Sequence, residues 1–351
     1  AFGGPMTGKA SAGSVRWENG PGTLVFEDIE GSIWPAPVLR MFLPKVADHL
    51  EQYRFHRTPK LSASGVIGLF DRGAQKTDFR VKGTTPGNVS YEFANTDLLL
   101  SGLETSVRIL PGHTEINDLS FDVYDGPVRG RFDVIYDEDL VKGELDWTRL
   151  SLPEISKDAG FEKKAKGYVT GRIDVRQHGK GTQGLNGEGL IALEEGELFS
   201  VPIFGPLSPV LSTVLSSKKA GFQEAKDAFC TFRVKEGVLR TTDFQTSTSS
   251  LVFTGDAEAD LNKRTLDMTI RMNARGLLGV ITLPLKPFYG LFQFRGTGPL
   301  KEPKWDNVMF TSPPEAEHEI LTAPPKARPM NVPPRARSVE PAPPRARPVG
   351  R

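Results

Sequence analysis

The sequence predicts a mainly β protein: a long curled antiparallel sheet forming an open groove, a few short amphipathic helices and a disordered Pro/Arg-rich C-terminal tail. From Lys60 onward, apolar and polar residues alternate in short runs, which is typical of strands with one buried face. Turn residues separate these runs, and the 351-residue chain has 36 Gly and 28 Pro to supply them. Regular short strands between tight turns favour an all-β architecture over βαβ units.

Changes in composition divide the chain into four predicted segments. They are residues 1–57, N-terminal strands plus an amphipathic helix; 58–160, a β-repeat region; 161–311, a second β region; and 312–351, a disordered basic Pro-rich tail. In the first segment, Ser14–Trp17 and Gly22–Phe26 are β-like. Val38–Tyr53 has apolar residues at helical spacing, and Pro44 is expected to start or kink that helix.

The β-repeat region contains successive short strands joined by hairpin-type turns. The predicted strands are Leu61–Phe70, Thr77–Lys82, Val89–Phe93, Leu98–Leu103, Thr105–Leu110, Thr114–Val123, Val128–Tyr136 and Gly143–Leu150. Pro153–Phe161 is long enough for one or two helical turns before the next strand, Tyr168–Arg176.

The second β region is organised around Leu185–Leu215, where a strand, a turn and a helix follow one another. Gly187–Leu193 is predicted as the strand, and Pro206 suits the first turn of a helix, where its missing N–H costs nothing. One apolar stripe then runs along the helix, formed by Leu207, Val210, Leu211, Val214 and Leu215. We expect this helix to cap an apolar sheet surface.

The β pattern resumes after this helix. The predicted strands are Cys230–Lys235, Val238–Phe244, Ser250–Leu261, Thr265–Met272 and Leu291–Gly296, with an apolar Pro-containing segment, Leu277–Phe288, before the last. Period-two alternation gives each strand one apolar face. The residues predicted to line the inner face are Ile173, Val175, Ile191, Leu193, Phe232, Val234, Leu251, Phe253, Met268, Ile270, Phe292 and Phe294.

An apolar sheet face must be covered by another sheet, by helices or by a ligand. Only two clear helices are available as cover, so part of the face is expected to stay open. Acyl chains would bind such a groove by area, at about 0.8 kcal/mol per buried methylene. The alternative is that the same residues form the ordinary core of a closed sandwich.

Enzymatic, metal and cofactor sites find no support in the sequence. Gly179–Gly184 matches the G-x-G-x-x-G string, but a strand follows it, so a hairpin loop is favoured over a dinucleotide site. The histidines (His49, His56, His113, His178 and His318) have no metal-ligand spacing. Cys230, the only cysteine, lies between aromatic residues and is expected to be a small buried hydrophobe. The net charge of +1 gives the body no attraction to nucleic acid, so no specific nucleic-acid partner is expected.

The C-terminal tail repeats a Pro-Pro-Lys/Arg-Ala-Arg pattern and cannot bury a core. We expect a disordered arm that weakly contacts anionic lipid or cell wall. A solubilising end that binds nothing specific is the alternative.

Six stretches, together with the helix that follows the second of them, resemble the AsmA-like C-terminal region of bacterial cell-envelope proteins: Gly187–Gly196, Val201–Gly205, Phe229–Leu239, Leu251–Leu261, Leu266–Met272 and Phe294–Trp305. Arg57–Ile173 resembles the weaker upstream repeats of that family. The resemblance implies a non-enzymatic, periplasm-facing protein, associated with the inner membrane of a double-membraned bacterium, whose hydrophobic groove binds phospholipid. It also implies a role in phospholipid transport or outer-membrane biogenesis. The sequence departs from the family pattern in its tail and in having no N-terminal membrane helix, so an anchor outside this chain is expected.

Two other functions stay open. One is a periplasmic structural or assembly factor with a closed β core, which contacts outer-membrane proteins or cell wall. The other, ranked last, is a carbohydrate-active enzyme, which needs paired carboxylates in one cleft. The predicted inner face carries none.

Overall fold

A computed structural model describes residues 3–12, 22–41, 43–68, 75–93, 96–158, 165–201, 203–215, 225–249, 251–274 and 292–308. The predicted tail 312–351, the strand-like Ser14–Trp17 and the apolar segment Leu277–Phe288 lie outside the described residues.

The described chain is mainly β. Its strands are β1 Gly3–Ala12, β2 Thr23–Ile33, β3 Tyr53–Phe55, β4 Lys60–Gly68, β5 Asp78–Thr84, β6 Val89–Phe93, β7 Thr96–Leu110, β8 His113–Val123, β9 Gly126–Ile135, β10 Leu140–Ser151, β11 Tyr168–His178, β12 Leu185–Glu194, β13 Ala228–Lys235, β14 Val238–Ser247, β15 Leu251–Asp260, β16 Thr265–Ala274, β17 Phe292–Pro299 and β18 Lys304–Val308. The helices are α1 Pro35–Arg40, α2 Pro44–Leu50, α3 Leu152–Asp158 and α4 Leu207–Leu215.

These strands form one antiparallel sheet of eighteen strands. The main ladder runs β1–β2–β4–β5–β7 and then strand by strand to β18, while β3 and β6 attach beside the first half of β7. In the described chain β1 and β18 do not pair with each other, so the sheet is open. The prediction of an open antiparallel sheet is confirmed.

The ladder is interrupted by register shifts, each of which bends the strand locally. They occur within β2, β7, β8, β10 and β14 among others. Between these shifts, alternation keeps the same set of side chains on one side of the sheet.

The sheet has an apolar inner face and a charged outer face. On the outer face, ion pairs join neighbouring strands: Arg172 Nη2 lies 2.6 Å from Glu144 Oε2, and Arg240 Nε lies 2.7 Å from Glu258 Oε2. Arg295 makes two hydrogen bonds to Asp267, of 2.9 and 2.6 Å. The charged side chains of the outer face therefore find their partners in water and in cross-strand ion pairs.

Three clusters of buried side chains lie along the inner face. The largest, beneath α4, includes Phe253, Ile270 and Phe294. A second is centred on β6 to β9 and extends to Tyr53 of β3. The third, formed by β4, β5 and β7, is covered by Leu39, Leu43 and Val46 of the α1–α2 segment.

The single helix predicted over Val38–Tyr53 is wrong in extent. Pro44 begins a second helix, because it has no N–H to continue the first one, and α1 ends before it. Tyr53 belongs to β3, where its ring stacks on Tyr91 with 4.8 Å between the ring centroids. The predicted turn of helix after Pro153 is confirmed as α3.

The predicted boundary between the two β regions falls between β10 and β11. These strands pair from Leu140–His178 to Ser151–Tyr168. The division into four segments stays a prediction.

Candidate functional site

The strand register places every predicted inner-face residue on the same side of the sheet. Ile173 pairs with Gly189, which in turn pairs with Phe232. At the other end of the sheet, Ile270 pairs with Phe294. The apolar face is thus continuous from β11 to β17.

Much of that face is packed core. The buried members of the predicted set are Leu193, Val234, Leu251, Phe253, Met268, Ile270 and Phe294, and Phe292 packs beside them half-buried. In this structure these residues lie in protein contacts and are not open to a ligand.

Helix α4 covers this part of the sheet. Leu207 and Leu211 are fully buried, and Val210 packs against the same cluster; the side chains of Val214 and Leu215 lie outside the described set. Just before the helix, the indole Nε1–H of Trp305 donates to the carbonyl oxygen of Ile203 across 2.9 Å. The cap is thus fixed to β18 by a hydrogen bond as well as by apolar packing.

The remaining predicted residues are more accessible. Ile173, Val175 and Phe232 are half-buried, and Ile191 is 37% exposed. The register joins them to further half-buried residues of β8 to β13. Together these residues form what we call the open strip: Ile116, Phe132, Val134, Val141, Leu145, Trp147, Ile173, Val175, Ile191, Cys230 and Phe232.

The open strip includes residues that the sequence-based set omitted. These are Ile116, Phe132, Val134, Val141, Leu145 and Trp147, in β8, β9 and β10. Period-two alternation in Val128–Tyr136 and Gly143–Leu150 was the available signal. Alternation alone does not place these residues on the strip, because strand order decides whether two alternating strands share a face.

Aromatic side chains of the open strip lie across glycines of the next strand. The pairs are Phe132 with Gly143, Trp147 with Gly171 and Phe232 with Gly189. A Cβ added at Gly189 would lie 2.7 Å from Cζ of Phe232 and still closer to the carbonyl oxygen of Arg172, so a larger residue there would displace both the ring and the backbone of β11. The glycines thus let large rings lie close to the backbone and widen the apolar surface.

The inner face of β8 to β13 carries no charged side chain. Cys230 is its only titratable group, and burial, with a smaller effect of the Asp243 carboxylate, raises the pKa of its thiol to about 11. Within the described residues no group of three or more His, Cys, Asp or Glu side chains is placed to hold a metal ion. The strip can offer apolar contact but no acid, base or nucleophile at neutral pH.

Helix α2 marks the other border of the open strip. Lys45 Nζ lies 3.4 Å from Asp137 Oδ1, and the His49 ring lies 5.6 Å from that of Tyr136, so α2 reaches the β9–β10 hairpin. A cavity of about 140 Å³ lies between them, with Val134 and Val141 of the strip in its wall. The open strip therefore runs from this cavity toward α4.

The G-x-G-x-x-G string forms the loop between β11 and β12, as predicted. The Gln177 amide donates to the carbonyl oxygens of Gly179 and Gly181, and a short 3₁₀ turn leads directly into β12. The element that follows this turn is the strand β12, whereas a dinucleotide site needs an α-helix there to receive the phosphate.

Comparisons with known proteins give no relative: no family model, no curated protein and no solved structure matches this chain. None of the helices in the described ranges combines the length and the apolar character needed to span a membrane.

Proposed function

We propose that this chain binds the acyl chains of phospholipid on the open strip and has no enzymatic activity. The observation that supports the proposal is a continuous, uncharged apolar surface left half-exposed between two covered regions of the same sheet face. Exposed apolar patches of this kind mark sites for ligands, membranes or partner proteins. A long, narrow patch fits an extended acyl chain.

The free energy of such binding comes only from the apolar surface area that is removed from water. Each buried methylene contributes about 0.8 kcal/mol, so ten methylenes in contact would contribute about 8 kcal/mol before the costs of binding are subtracted. No polar partner is needed along the chain, which agrees with the uncharged face of β8 to β13. The pairing of rings with glycines increases the surface available to an acyl chain.

The cellular role follows from the sequence resemblance to AsmA-like proteins. We propose that the chain takes part in phospholipid transport or outer-membrane biogenesis. It would face the periplasm and be associated with the inner membrane. Weak contact of the basic tail with anionic lipid or cell wall belongs to the same proposal.

Two neighbouring residues of β12 provide a matched test. Ile191 lies on the open strip, while Leu190 lies on the outer face between Arg172 and Thr231. The full chain is incubated with phospholipid vesicles, re-isolated, and its bound lipid measured by native mass spectrometry. We expect wild type and Leu190→Asp to retain lipid and Ile191→Asp to lose most of it, because a carboxylate on the strip loses its hydration when an acyl chain covers it.

A folded wild-type chain that takes up no lipid would overturn the proposal, as would equal lipid loss in both variants. Circular dichroism of each variant checks that the sheet is retained.

The alternative of a periplasmic structural or assembly factor is favoured by one observation. The cluster beneath α4 is closed, with Phe253, Met272 and Phe294 fully buried. A lipid-free wild-type chain in the same experiment would support this second function.

A further inference from the structure

The cavity between α2 and the β9–β10 hairpin has two unlike walls. One wall is apolar and includes Val134 and Val141, the last residues of the open strip on this side. The other wall is polar and includes Lys45, His49 and Asp139. An amphiphile needs such a junction where its acyl chains end and its headgroup begins.

The charges around this cavity are mixed. Arg40 pairs with Asp48 at 2.8 Å and with Glu51 at 2.7 Å, and Lys45 pairs with Asp137 at 3.4 Å. All three pairs are well exposed to water.

The adjacent turn adds two further carboxylates. Within the described part of the chain, Glu138 and Asp139 have no cation within ion-pairing distance. The polar wall therefore has one lysine, Lys45, that can meet a phosphate, and an excess of carboxylate, with Asp48 and Asp139 in the wall itself, that attracts a positive group.

We propose that this cavity receives the headgroup of a zwitterionic phospholipid, with its phosphate toward Lys45 and its positively charged amine toward Asp139. This inference rests on the proposed function, because it assumes that acyl chains occupy the open strip. It adds a headgroup preference: a purely anionic headgroup would meet the excess carboxylates without a compensating positive charge.

The Tyr136 hydroxyl is held at the inner side of the same cavity. Its oxygen lies 2.8 Å from Oγ1 of Thr114, and its ring contacts His49. The contact between the rings of His49 and Tyr136 joins α2 to the β9–β10 hairpin and sets the distance between them, so the cavity is formed before a headgroup enters.

The test is a competition among three phospholipids with identical acyl chains. The full chain is incubated with vesicles containing equal amounts of phosphatidylethanolamine, phosphatidylcholine and phosphatidylglycerol, re-isolated, and the bound lipids identified by native mass spectrometry. We expect both zwitterionic lipids to be enriched over phosphatidylglycerol.

Asp139→Asn should lower that enrichment about two- to fivefold, the range of one exposed charge pair. Asp125→Asn is the matched control, since Asp125 is also an exposed turn aspartate with positive φ, in the β8–β9 turn. Lys45→Gln should weaken uptake of all three lipids alike, because each carries a phosphate.

The outcomes separate the two proposals. The headgroup site would be overturned if the three lipids were bound in the same proportions as in the vesicles. It would also be overturned if the enrichment of zwitterionic lipid over phosphatidylglycerol were the same in Asp139→Asn as in wild type. Either result would leave the acyl-chain proposal intact. A wild-type chain that binds none of the three lipids would overturn both.

Discussion

At the residue scale, the reactivity of the Cys230 thiol is a measure of how accessible the open strip is. It pairs with Ile191 across β12 and β13, and burial raises the pKa of its thiol to about 11. Since the thiolate is the reactive form, a raised pKa means slower alkylation at any pH below that value. The chain has one cysteine, and the tryptic peptide that contains it, Asp227–Arg233, has no lysine, so the mass shift of this peptide follows alkylation of Cys230.

We therefore expect alkylation of Cys230 by iodoacetamide to be slow at pH 8 and to accelerate as the pH approaches 11. The chain unfolded in urea should react with the ordinary thiol pKa of about 8.5. Lipid bound on the open strip should slow the reaction further, because it covers the thiol. Equal rates for the folded and unfolded chains at pH 8 would contradict the raised pKa of the thiol.

The glycines of the inner face also act at this scale. Gly189 is where the ring of Phe232 crosses to the neighbouring strand, and Gly143 is crossed by Phe132 in the same way. The sequence places both glycines in predicted strands, Gly187–Leu193 and Gly143–Leu150, but does not show which side chains lie against them. Only the pairing of β9 with β10 and of β12 with β13 shows that they accommodate cross-strand rings.

At the scale of elements, the prolines decide where helices begin. Pro44 starts α2, and Pro206 precedes α4 directly. A proline in a first helical turn loses no hydrogen bond, so these starts are readable from sequence. The face that each helix covers is not readable, because it depends on contacts with strands distant in the chain.

Helix α4 is expected to stabilise the sheet through Leu211. This side chain is fully buried against the cluster of β14 to β17, so Leu211→Ala should lower the free energy of unfolding by about 2–5 kcal/mol. Ser212→Ala on the exposed side of the helix is the control and should change it by about 0.5 kcal/mol or less. Urea unfolding followed by tryptophan fluorescence measures both, and equal effects would show that α4 does not cover the sheet.

At the scale of the whole molecule, the sheet resembles a linear array. Most strands pair with the next strand in sequence, and the buried residues fall into three clusters along one face. In such arrays, stability is roughly a sum of local terms and neighbouring interfaces, so separate regions can open independently.

We therefore expect uneven hydrogen exchange along the chain. Amides of β15 and β16, beneath α4, should exchange more slowly than those of β9 and β10 in the open strip. Leu211→Ala should raise the amide exchange rates in β14 to β17 and leave the exchange rates in β4 to β8 unchanged. Mass spectrometry of peptic fragments measures both. A uniform increase over the whole chain would instead show a single cooperative unit.

Period-two alternation alone determined the β class, most strand positions and the division into an apolar and a polar face. It works because a strand's side chains alternate between faces whatever its neighbours are. Thus Ile191 and Phe232 could be assigned to the inner face without knowledge of the pairing.

Only the tertiary structure decided which part of the inner face is open. Phe253 and Ile191 follow the same pattern in sequence, yet Phe253 is fully buried beneath α4 and Ile191 is 37% exposed. The physical reason is that burial depends on what lies above a residue. Here α4 and the α1–α2 segment supply the cover through contacts between residues far apart in sequence, which local alternation does not encode.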